Sequence, residues 1–234
     1  MLTTDPGWEQ TAPGAAFGIL TTYGVRNPAS HPIVSAAADQ LERDLRERFG
    51  QAGRDALRAT EPLPAYAAWY RRFGQRYHVM MQMESVALKG KPLPRSSALV
   101  EAMFVVELRY GMLLAAHDLG ALRLPVTLGV GDGNTAYRTL AGQPATVKHG
   151  DLYARDADGV LSSIVAGPSD RGRITPETTS ALICAYAPPG VGETRLNAAL
   201  DEMADLLRAL APGEMSVARF LVAAPNAAVE SGER

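Results

Sequence analysis

The chain has 234 residues, of which 47% are hydrophobic and 21% are charged, and its formal net charge is −2 at pH 7. A chain of this length and composition can bury the core of an ordinary globular protein. Its slightly acidic balance excludes an overall basic surface of the kind that grips a nucleic-acid backbone. Arg71, Arg72 and Arg76 form either a local basic patch or a solvated helix face.

The sequence carries no sign of a membrane protein. No apolar run reaches the length of a transmembrane helix, and no positively charged leader precedes an apolar segment at the N-terminus. The one cysteine, Cys184, cannot form an internal disulfide, and its apolar neighbours favour a small buried side chain in a strand over a nucleophile. We therefore expect a soluble, cytoplasmic protein with no membrane partner.

The first half of the chain is predicted to be mainly helical. Residues 1–12 lack periodicity and are expected to form a loose tail, whereas residues 15–22 form a candidate strand. From Pro32 onward, apolar residues recur at helical spacing with charged residues between them, which predicts a surface helix. The members of this apolar stripe are Val34, Ala37, Leu41, Leu45 and Phe49.

Two further helices are predicted before the middle of the chain. The first carries aromatic residues three and four positions apart, a spacing that favours a core helix but also suits a platform for base stacking. These aromatic residues are Tyr66, Trp69, Tyr70 and Phe73. The second, over residues 79–88, is rich in methionine, and Glu84 lies inside it. A buried carboxylate at that position needs a partner.

Residues 91–122 combine a proline-rich entry, two serines and a buried helix. The prolines favour extended backbone up to the serines. Apolar residues from Leu99 onward then recur at helical spacing. Ser96 and Ser97 stand at the beginning of this central helix, where their hydroxyls either cap free backbone N–H groups or help to form an anion or carbonyl site.

After residue 122 the sequence changes from helical to β character. Short candidate strands alternate with turn-forming residues, and a polar loop at 167–173 precedes a last strand at 178–187. Apolar residues at helical spacing from Glu193 predict a closing amphipathic helix that ends at Pro212. We expect one α+β domain over residues 13–225, flanked by loose tails at 1–12 and 226–234. The short candidate strands are 137–140, 145–148, 152–155 and 160–165.

Generic catalytic motifs are weak in this sequence. The four histidines have no metal-ligand spacing, and no nucleotide-binding loop is present, so neither a metal nor a cofactor is expected. A Ser-His-Asp set can be assembled from Ser97 or Ser169 with His117 and Asp118, as it can in any chain of this length. Function therefore has to be inferred from longer patterns.

Residues from about 69 to 187 resemble the stand-alone B3/B4 domain, which is related to the editing domain of the phenylalanyl-tRNA synthetase β subunit. Three passages carry this resemblance. The first is Glu84 to Arg95, similar to the family pattern E-A-L…GK-x-LP. The second consists of Ser97, Val100-Glu101 and Tyr110-Gly111 to Asp118, similar to N-x-x-V-D…N…G…D. The third consists of Gly150 to Asp156 with Ser169-Asp170-Arg171 and Ile174-Thr175, similar to G-E-x-x-Y-x-D…S-D-R…I-T.

The resemblance implies a fold and a chemistry. It implies an α+β domain in which helices pack on a largely antiparallel β-sheet or sandwich, with a pocket between the start of the central helix and the sheet. In the synthetase that pocket receives a mischarged tyrosine esterified to tRNA and hydrolyses it. Ester hydrolysis of this kind needs a positioned water and hydrogen-bond donors for the developing oxyanion, and no protein nucleophile. The implied function is trans-editing hydrolysis of a mischarged aminoacyl-tRNA, with tRNA or an aminoacyl ester as partner.

The resemblance also implies which residues would act as catalytic groups. Ser97 falls on the family's Asn or Ser at the helix start, Glu101 on the Asp that follows it, and Asp170 on the polar loop opposite. His117 either replaces a histidine that the family carries nearby or simply fills an aromatic position. The implied substrate-binding residues are Arg95, Ser96, Asp118, Ser169 and Arg171.

Several family positions differ in this chain. Phe104 replaces the second Asn of the family, Ala115 replaces the synthetase histidine, Asn134 replaces a Glu, and Leu113 replaces a Pro. These losses favour a rival hypothesis, a non-catalytic module that binds an amino acid, a nucleotide or RNA, or a protein. A third hypothesis is a structural remnant whose polar loop pairs only internally, Asp170 with a neighbouring arginine.

Overall fold

A computed structural model describes residues 1–211 and 213–226. Within these ranges helices and largely antiparallel strands pack together, which confirms the predicted α+β class. The α-helices are α1 (Trp8–Thr11), α2 (Pro32–Phe49), α3 (Gly53–Arg58), α4 (Leu63–Arg71), α5 (His78–Lys89), α6 (Ala98–Tyr110) and α7 (Glu193–Ala209). The strands are β1 (Leu2–Thr4), β2 (Ala16–Tyr23), β3 (Leu113–Asp118), β4 (Val126–Val130), β5 (Ala136–Arg138), β6 (Pro144–Thr146), β7 (Leu152–Asp156), β8 (Gly159–Ser163), β9 (Gly167–Pro168), β10 (Ser180–Ala187) and β11 (Ser216–Ala223).

The strands form two main sheets and one small ribbon. The first sheet has the order β11-β2-β10-β3 and is antiparallel throughout. The second has the order β1-β4-β7-β8-β9 and is antiparallel except for the β1–β4 pair. Strands β5 and β6 form the ribbon. The two sheets meet where Tyr186 of β10 contacts Ser162 of β8, with their hydroxyl oxygens 2.5 Å apart.

Helix α6 lies at the centre of the molecule because its sides pack on different elements. Its buried residues belong to the main hydrophobic core, which also contains α2, α7 and the four-stranded sheet. Helix α7 approaches β2 closely at Gly18, where a Cβ atom would lie 2.8 Å from Leu200 Cδ1. A side chain at Gly18 would push α7 away from the sheet.

Two segments differ from their predictions. Residues 1–12 are not a loose tail, because β1 pairs in parallel with β4 and Trp8 of α1 is buried in the core. Helix α7 does not close the domain, since β11 follows it and pairs with β2. The predicted C-terminal tail lies outside the described residues from position 227 onward.

The helices predicted in the first half have the predicted locations, whereas the short helix α3 was not predicted. Helix α2 begins at Pro32 and ends at Phe49, and α5 and α6 cover the predicted methionine-rich and central segments. Glu84 is buried and has the partners that its position requires, since Arg58 Nε lies 2.6 Å and Arg54 Nε 3.3 Å from its carboxylate oxygens. No helix in the two described ranges is both long and apolar enough to span a membrane.

Candidate functional site

One face of α6 lines a cavity of about 230 Å³. Val100, Met103, Phe104 and Glu107 lie three, four and seven positions apart, so the helical repeat places them on the same side. The opposite walls come from β3, from the end of β8, and from the segment between β9 and β10. The residues contributed by these walls include Leu113, Leu114, Ala115, Ala116, Ser162, Ser163, Pro168, Ser169, Ile174 and Tyr186. The cavity therefore lies beside the body of α6 and not at its N-terminus.

Most of the polar groups in the cavity wall are already paired with the protein. The Ser162 and Tyr186 hydroxyls bond to each other, and the Tyr186 hydroxyl also donates to the Ser162 carbonyl at 3.0 Å. The Ser163 hydroxyl donates to Asp151 Oδ2 at 2.8 Å and accepts from the Ala166 N–H at 3.0 Å. These groups hold the wall together and have little capacity left for a ligand.

Asp151 stabilises this wall from behind. Its carboxylate accepts hydrogen bonds from the Ser163 hydroxyl, from the Val165 N–H at 3.1 Å and from Trp69 Nε1 at 3.1 Å. Burial raises the pKa of Asp151 to about 6, although the three donors act in the opposite direction. The aromatic helix α4 thus contributes a buried indole to the site's framework, as expected for core aromatics.

Two buried polar groups in the wall remain available. Ser169 is 2% exposed, and its Oγ has no hydrogen-bond partner among the described residues. Glu107 is equally buried, and its Oε1 accepts from the Leu114 N–H at 2.9 Å. Burial raises the pKa of Glu107 to about 8, so this carboxyl is mostly uncharged at neutral pH. A ligand can therefore find one free hydroxyl and one free carboxyl oxygen in an otherwise apolar cavity.

Exposed residues surround the opening of the cavity. His78, Leu140 and Arg173 line it and are all exposed. Tyr70 donates its hydroxyl proton to the Ile164 carbonyl, so its oxygen is left to accept from His78 Nδ1 at 3.3 Å. His78 Nε2 is then left as an acceptor. Separately, the Arg173 guanidinium donates to the Leu140 carbonyl at 2.5 Å.

Arg95 and Glu101, predicted as binding and catalytic residues, lie in an ion-pair cluster away from the cavity. Glu101 is fully buried on the side of α6 that faces α2, and its carboxylate is 2.5 Å from Arg95 Nη1. Arg95 also pairs with Asp39 at 2.6 Å and Glu42 at 3.3 Å. The cluster fixes the proline-rich entry segment against α2.

Ser96 and Ser97, predicted to begin the central helix, line a different, more open cavity. Ser97 is the N-cap residue of α6, but its side chain makes no capping hydrogen bond. Asn27 caps the helix in its place, since Asn27 Oδ1 accepts from the Leu99 N–H at 3.0 Å and the Pro28 carbonyl accepts from the Ala98 N–H at 2.9 Å. The helix start is therefore satisfied by a segment that lies far away in the sequence.

His117 and Asp118, predicted in catalytic and binding roles, end β3 and face the 170–178 segment. His117 is 1% exposed, its Nε2 has no partner in the described part of the chain, and burial lowers its pKa to about 4. Asp118 accepts from the Thr178 hydroxyl at 2.7 Å and from the Gly120 N–H at 2.9 Å. Neither residue belongs to the cavity lining.

The predicted loop Ser169-Asp170-Arg171 separates into three environments. Ser169 faces the cavity. Asp170 lies 3.5 Å from Arg138 Nε, so its partner is not a neighbouring loop arginine. Arg171 forms a bidentate salt bridge with Asp156, in which Nη1 lies 2.8 Å from Oδ1 and Nη2 lies 3.1 Å from Oδ2. Of the nine predicted site residues, Ser169 alone lines the cavity within the described ranges, and the catalytic and binding roles of all nine stay predictions.

Sequence reasoning missed the groups that the cavity brings together. Glu107, Arg173, Ser162 and Tyr186 were not singled out, although Glu107 had a detectable signal. It lies at the position where the apolar face of the helix continues after Val100, Met103 and Phe104, so periodicity alone indicates a buried carboxyl there. No group of histidine, cysteine or acidic side chains suited to a metal ion occurs in the described ranges.

Comparisons with known proteins support the fold but not a chemistry. No protein-family model matches the sequence, and no curated protein matches it. Among solved structures, the chain is similar to an N-terminal fragment of the phenylalanyl-tRNA synthetase β subunit from Pyrococcus horikoshii, with a TM-score of 0.54 and 13% sequence identity. The match covers 97% of this chain and 54% of the fragment, so the chain spans about half its length. At this identity the likeness shows a shared α+β fold and nothing more.

Proposed function

We propose that this chain is a B3/B4-like module that binds the aminoacyl group of a small ligand in the cavity beside α6. The observation that carries the proposal is the cavity itself, which is mainly apolar and is lined by two polar side chains with free bonding capacity among the described residues, the Ser169 hydroxyl and one carboxyl oxygen of Glu107. Sites for small molecules have this character, with an apolar lining and a few polar groups that fix orientation.

The size of the cavity favours an amino-acid side chain over a nucleotide. Its volume of about 230 Å³ is below the roughly 300–1,000 Å³ of pockets that bury drug-sized ligands. Phe104 lines the cavity without filling it, so the replacement of the family's Asn does not block entry. The exposed Arg173 at the opening supplies donors for a carbonyl or carboxylate that remains outside.

A second candidate function is hydrolysis of an aminoacyl-tRNA ester, and two observations favour it. The fold is similar to part of a phenylalanyl-tRNA synthetase β subunit. Arg71, Arg72 and Arg76 are exposed, none of them forms an ion pair within the described residues, and Arg76 directly precedes the segment that carries His78 at the cavity opening. Such a group of arginines suits a phosphate backbone.

The chemistry of hydrolysis would depend on donors and a positioned water. Ser169 Oγ can orient a water or donate to the ester carbonyl, and Arg173 can stabilise the developing oxyanion. Glu107 is a poor general base at neutral pH because it is mostly protonated. We therefore rank aminoacyl binding first and hydrolysis second.

Calorimetric titration with the amides of the standard amino acids tests the binding proposal. We expect a subset of these amides to bind the wild-type protein, and Ala116→Trp, which fills the cavity, to abolish their binding. Ile33→Trp is the matched control, because Ile33 is exposed on α2, distant in sequence and outside the cavity lining. The proposal is wrong if no amide binds or if Ala116→Trp binds as well as the wild type.

Deacylation of charged tRNAs tests the second candidate. Release of amino acid above the buffer rate, reduced by both Ser169→Ala and Arg173→Ala, would establish hydrolysis. Binding of amides without any release across the panel would leave a binding module and reject the hydrolase. Substitution of Arg71 and Arg76 by Glu should weaken tRNA binding without changing amide binding.

A further inference from the structure

Four glutamates are buried among the described residues, and Glu107 differs from the other three in having no cation. Glu42 lies 2.8 Å from Arg46, Glu84 lies 2.6 Å from Arg58, and Glu101 lies 2.5 Å from Arg95. No ion pair to Glu107 occurs within the described ranges. A buried carboxyl without a partner costs stability, so a ligand that supplies the missing charge is a physical reason for its presence.

The orientation of Glu107 leaves one oxygen for that ligand. Oε1 is fixed by the Leu114 N–H at 2.9 Å, and no hydrogen bond to Oε2 occurs within the described ranges. Glu107 is buried while His78, Leu140 and Arg173 are exposed, so the carboxyl lies inside the cavity and those three lie at its opening. A ligand group that reaches Glu107 must therefore pass the apolar part of the wall.

That part of the wall suits a chain of methylene groups. Val100, Met103, Phe104, Leu113 and Leu114 all line the cavity and present apolar surface. A flexible aliphatic stem gains free energy by leaving water for such surface, and a terminal ammonium gains by pairing with a carboxylate away from bulk solvent.

We propose that the cavity selects an aminoacyl group with a basic aliphatic side chain, of the lysine or ornithine type, whose terminal ammonium pairs with Glu107. This inference rests on the proposed function and adds the chemical class of its ligand. The side-chain stem lies along α6 and β3. The aminoacyl carbonyl lies toward the buried Ser169 and toward Arg173, which is at the opening.

Binding of such a ligand is linked to protons. Burial raises the pKa of Glu107 to about 8, so the arriving ammonium must drive a proton off the carboxyl. Affinity for the basic ligand should then rise with pH through neutrality, whereas affinity for an uncharged side chain should not. The ionisable groups around Glu107 on the packed elements are Tyr66 and Tyr70 of α4, Tyr77 and His78 at the start of α5, Tyr186 of β10 and Arg173. Burial raises the pKa of the first three tyrosines and of Tyr186, so they stay uncharged over this range.

Calorimetry with matched amides tests the proposal. Lysine amide and norleucine amide share a carbon chain of similar length and the same α-ammonium, and they differ in the terminal charge. We expect lysine amide to bind at least tenfold more tightly near pH 8. We also expect binding to release about half a proton, measured by comparing buffers of different ionisation enthalpy, because a carboxyl of pKa about 8 is half protonated at that pH. Glu107→Gln should abolish both the preference and the proton release.

Each alternative outcome is informative. Tighter binding of norleucine or tyrosine amide would overturn the ligand class and leave the aminoacyl pocket intact. Equal proton release by lysine and norleucine amides would place the α-ammonium on Glu107 and overturn the assignment to the side chain. Failure of every amide to bind would reject the proposed function as well. Glu107→Gln is expected to fold, since its amide nearly matches the protonated carboxyl, and its unfolding curve verifies this.

Discussion

The two halves of α6 use the same side chain in opposite ways. In the first half, Glu101 is fully buried and paired with Arg95, and the helix start is capped by Asn27. In the second half, Glu107 is nearly as buried but has no ion-pair partner among the described residues, and it lines the same cavity as Ser169, whose hydroxyl has no partner among them. The first half holds the fold together, and the second half keeps polar groups available for a ligand.

The comparison teaches that burial of a charged residue does not by itself indicate a site. Glu101 and Glu107 are six positions apart, so the helical repeat directs them to different sides, one toward α2 and one toward β3. What distinguishes them is whether the surrounding protein completes their hydrogen bonds and charge. A polar group in a cavity whose hydrogen-bonding capacity is unsatisfied is a candidate for ligand binding, because an unsatisfied buried group does not stabilise the fold.

The largest expected effect on stability comes from removing the charge of Glu101 in the first half of α6. Glu101→Gln leaves Arg95 short of its most buried partner and should lower the free energy of unfolding by about 3 kcal/mol, the lower end for a broken buried pair, because Arg95 is one-third exposed. Glu107→Gln is the matched control and should not lower stability at neutral pH, because its amide resembles the protonated carboxyl and needs no proton. Urea unfolding measures both, and equal losses would remove the distinction between the two halves.

The pH dependence of stability sharpens the same contrast. The folded-state pKa of Glu107, about 8, is above its ordinary value of 4.5, so the folded protein binds this proton more tightly than the unfolded chain does. Its contribution to stability is therefore present at low pH and is lost as pH rises from the ordinary value toward 8. Between about pH 5 and pH 8 the wild type should lose about 3 kcal/mol relative to Glu107→Gln.

Asp151 does not affect the difference in pH-dependent stability between the wild type and Glu107→Gln. Burial raises its pKa to about 6, so its contribution has the same sign as that of Glu107. It is present in both proteins, and the difference between their pH profiles cancels it. Parallel profiles for the wild type and Glu107→Gln would show that Glu107 has an ordinary pKa, and the contrast between the two glutamates would fail.

Much of the fold could be predicted from local patterns. The apolar stripe from Val34 to Phe49 gave α2 with its observed ends, because a surface helix packs through one face. Strand β1 could not be predicted this way, since its three residues are defined by pairing of Leu2 with Val126. Strand β11 likewise depends on β2, and its half-buried residues show no alternation.

The candidate site was less predictable, because pairing is a tertiary property. Ser97 has the sequence of a helix cap, but Asn27, 72 residues before Leu99, does the capping. Similarity to a family indicated Glu101, and periodicity could indicate that Glu107 is buried, but neither reveals which glutamate meets an arginine. Ser169 was found because the family pattern marked its loop, and only the structure shows that its hydroxyl is unpaired.

A smaller effect is expected at the cap of α6. Asn27→Ala removes the acceptor for the Leu99 N–H and the donor to the Thr175 carbonyl, and should cost about 1–2 kcal/mol of stability. Ser97→Ala should change stability by no more than about 0.5 kcal/mol, since its hydroxyl makes no capping bond. Thermal unfolding of both variants checks this. A larger loss of stability for Ser97→Ala would mean that the serine hydroxyl caps α6, and it would contradict the cap formed by Asn27.

The smallest effect on stability is expected at Ser169. Ser169→Ala removes a buried hydroxyl that has no partner among the described residues, so stability should stay the same or rise by up to about 1 kcal/mol. Ser163→Ala, in the same cavity wall, removes bonds to Asp151 and to the Ala166 N–H and should cost about 1–2 kcal/mol. If the unpaired hydroxyl meets a ligand, Ser169→Ala should also weaken amide binding by about fivefold, because one hydrogen bond is lost. A Ser169→Ala protein that is destabilised but binds amides normally would mean that this hydroxyl stabilises the fold and does not bind a ligand. The polar groups beside the second half of α6 would then have a structural role, as those of the first half do.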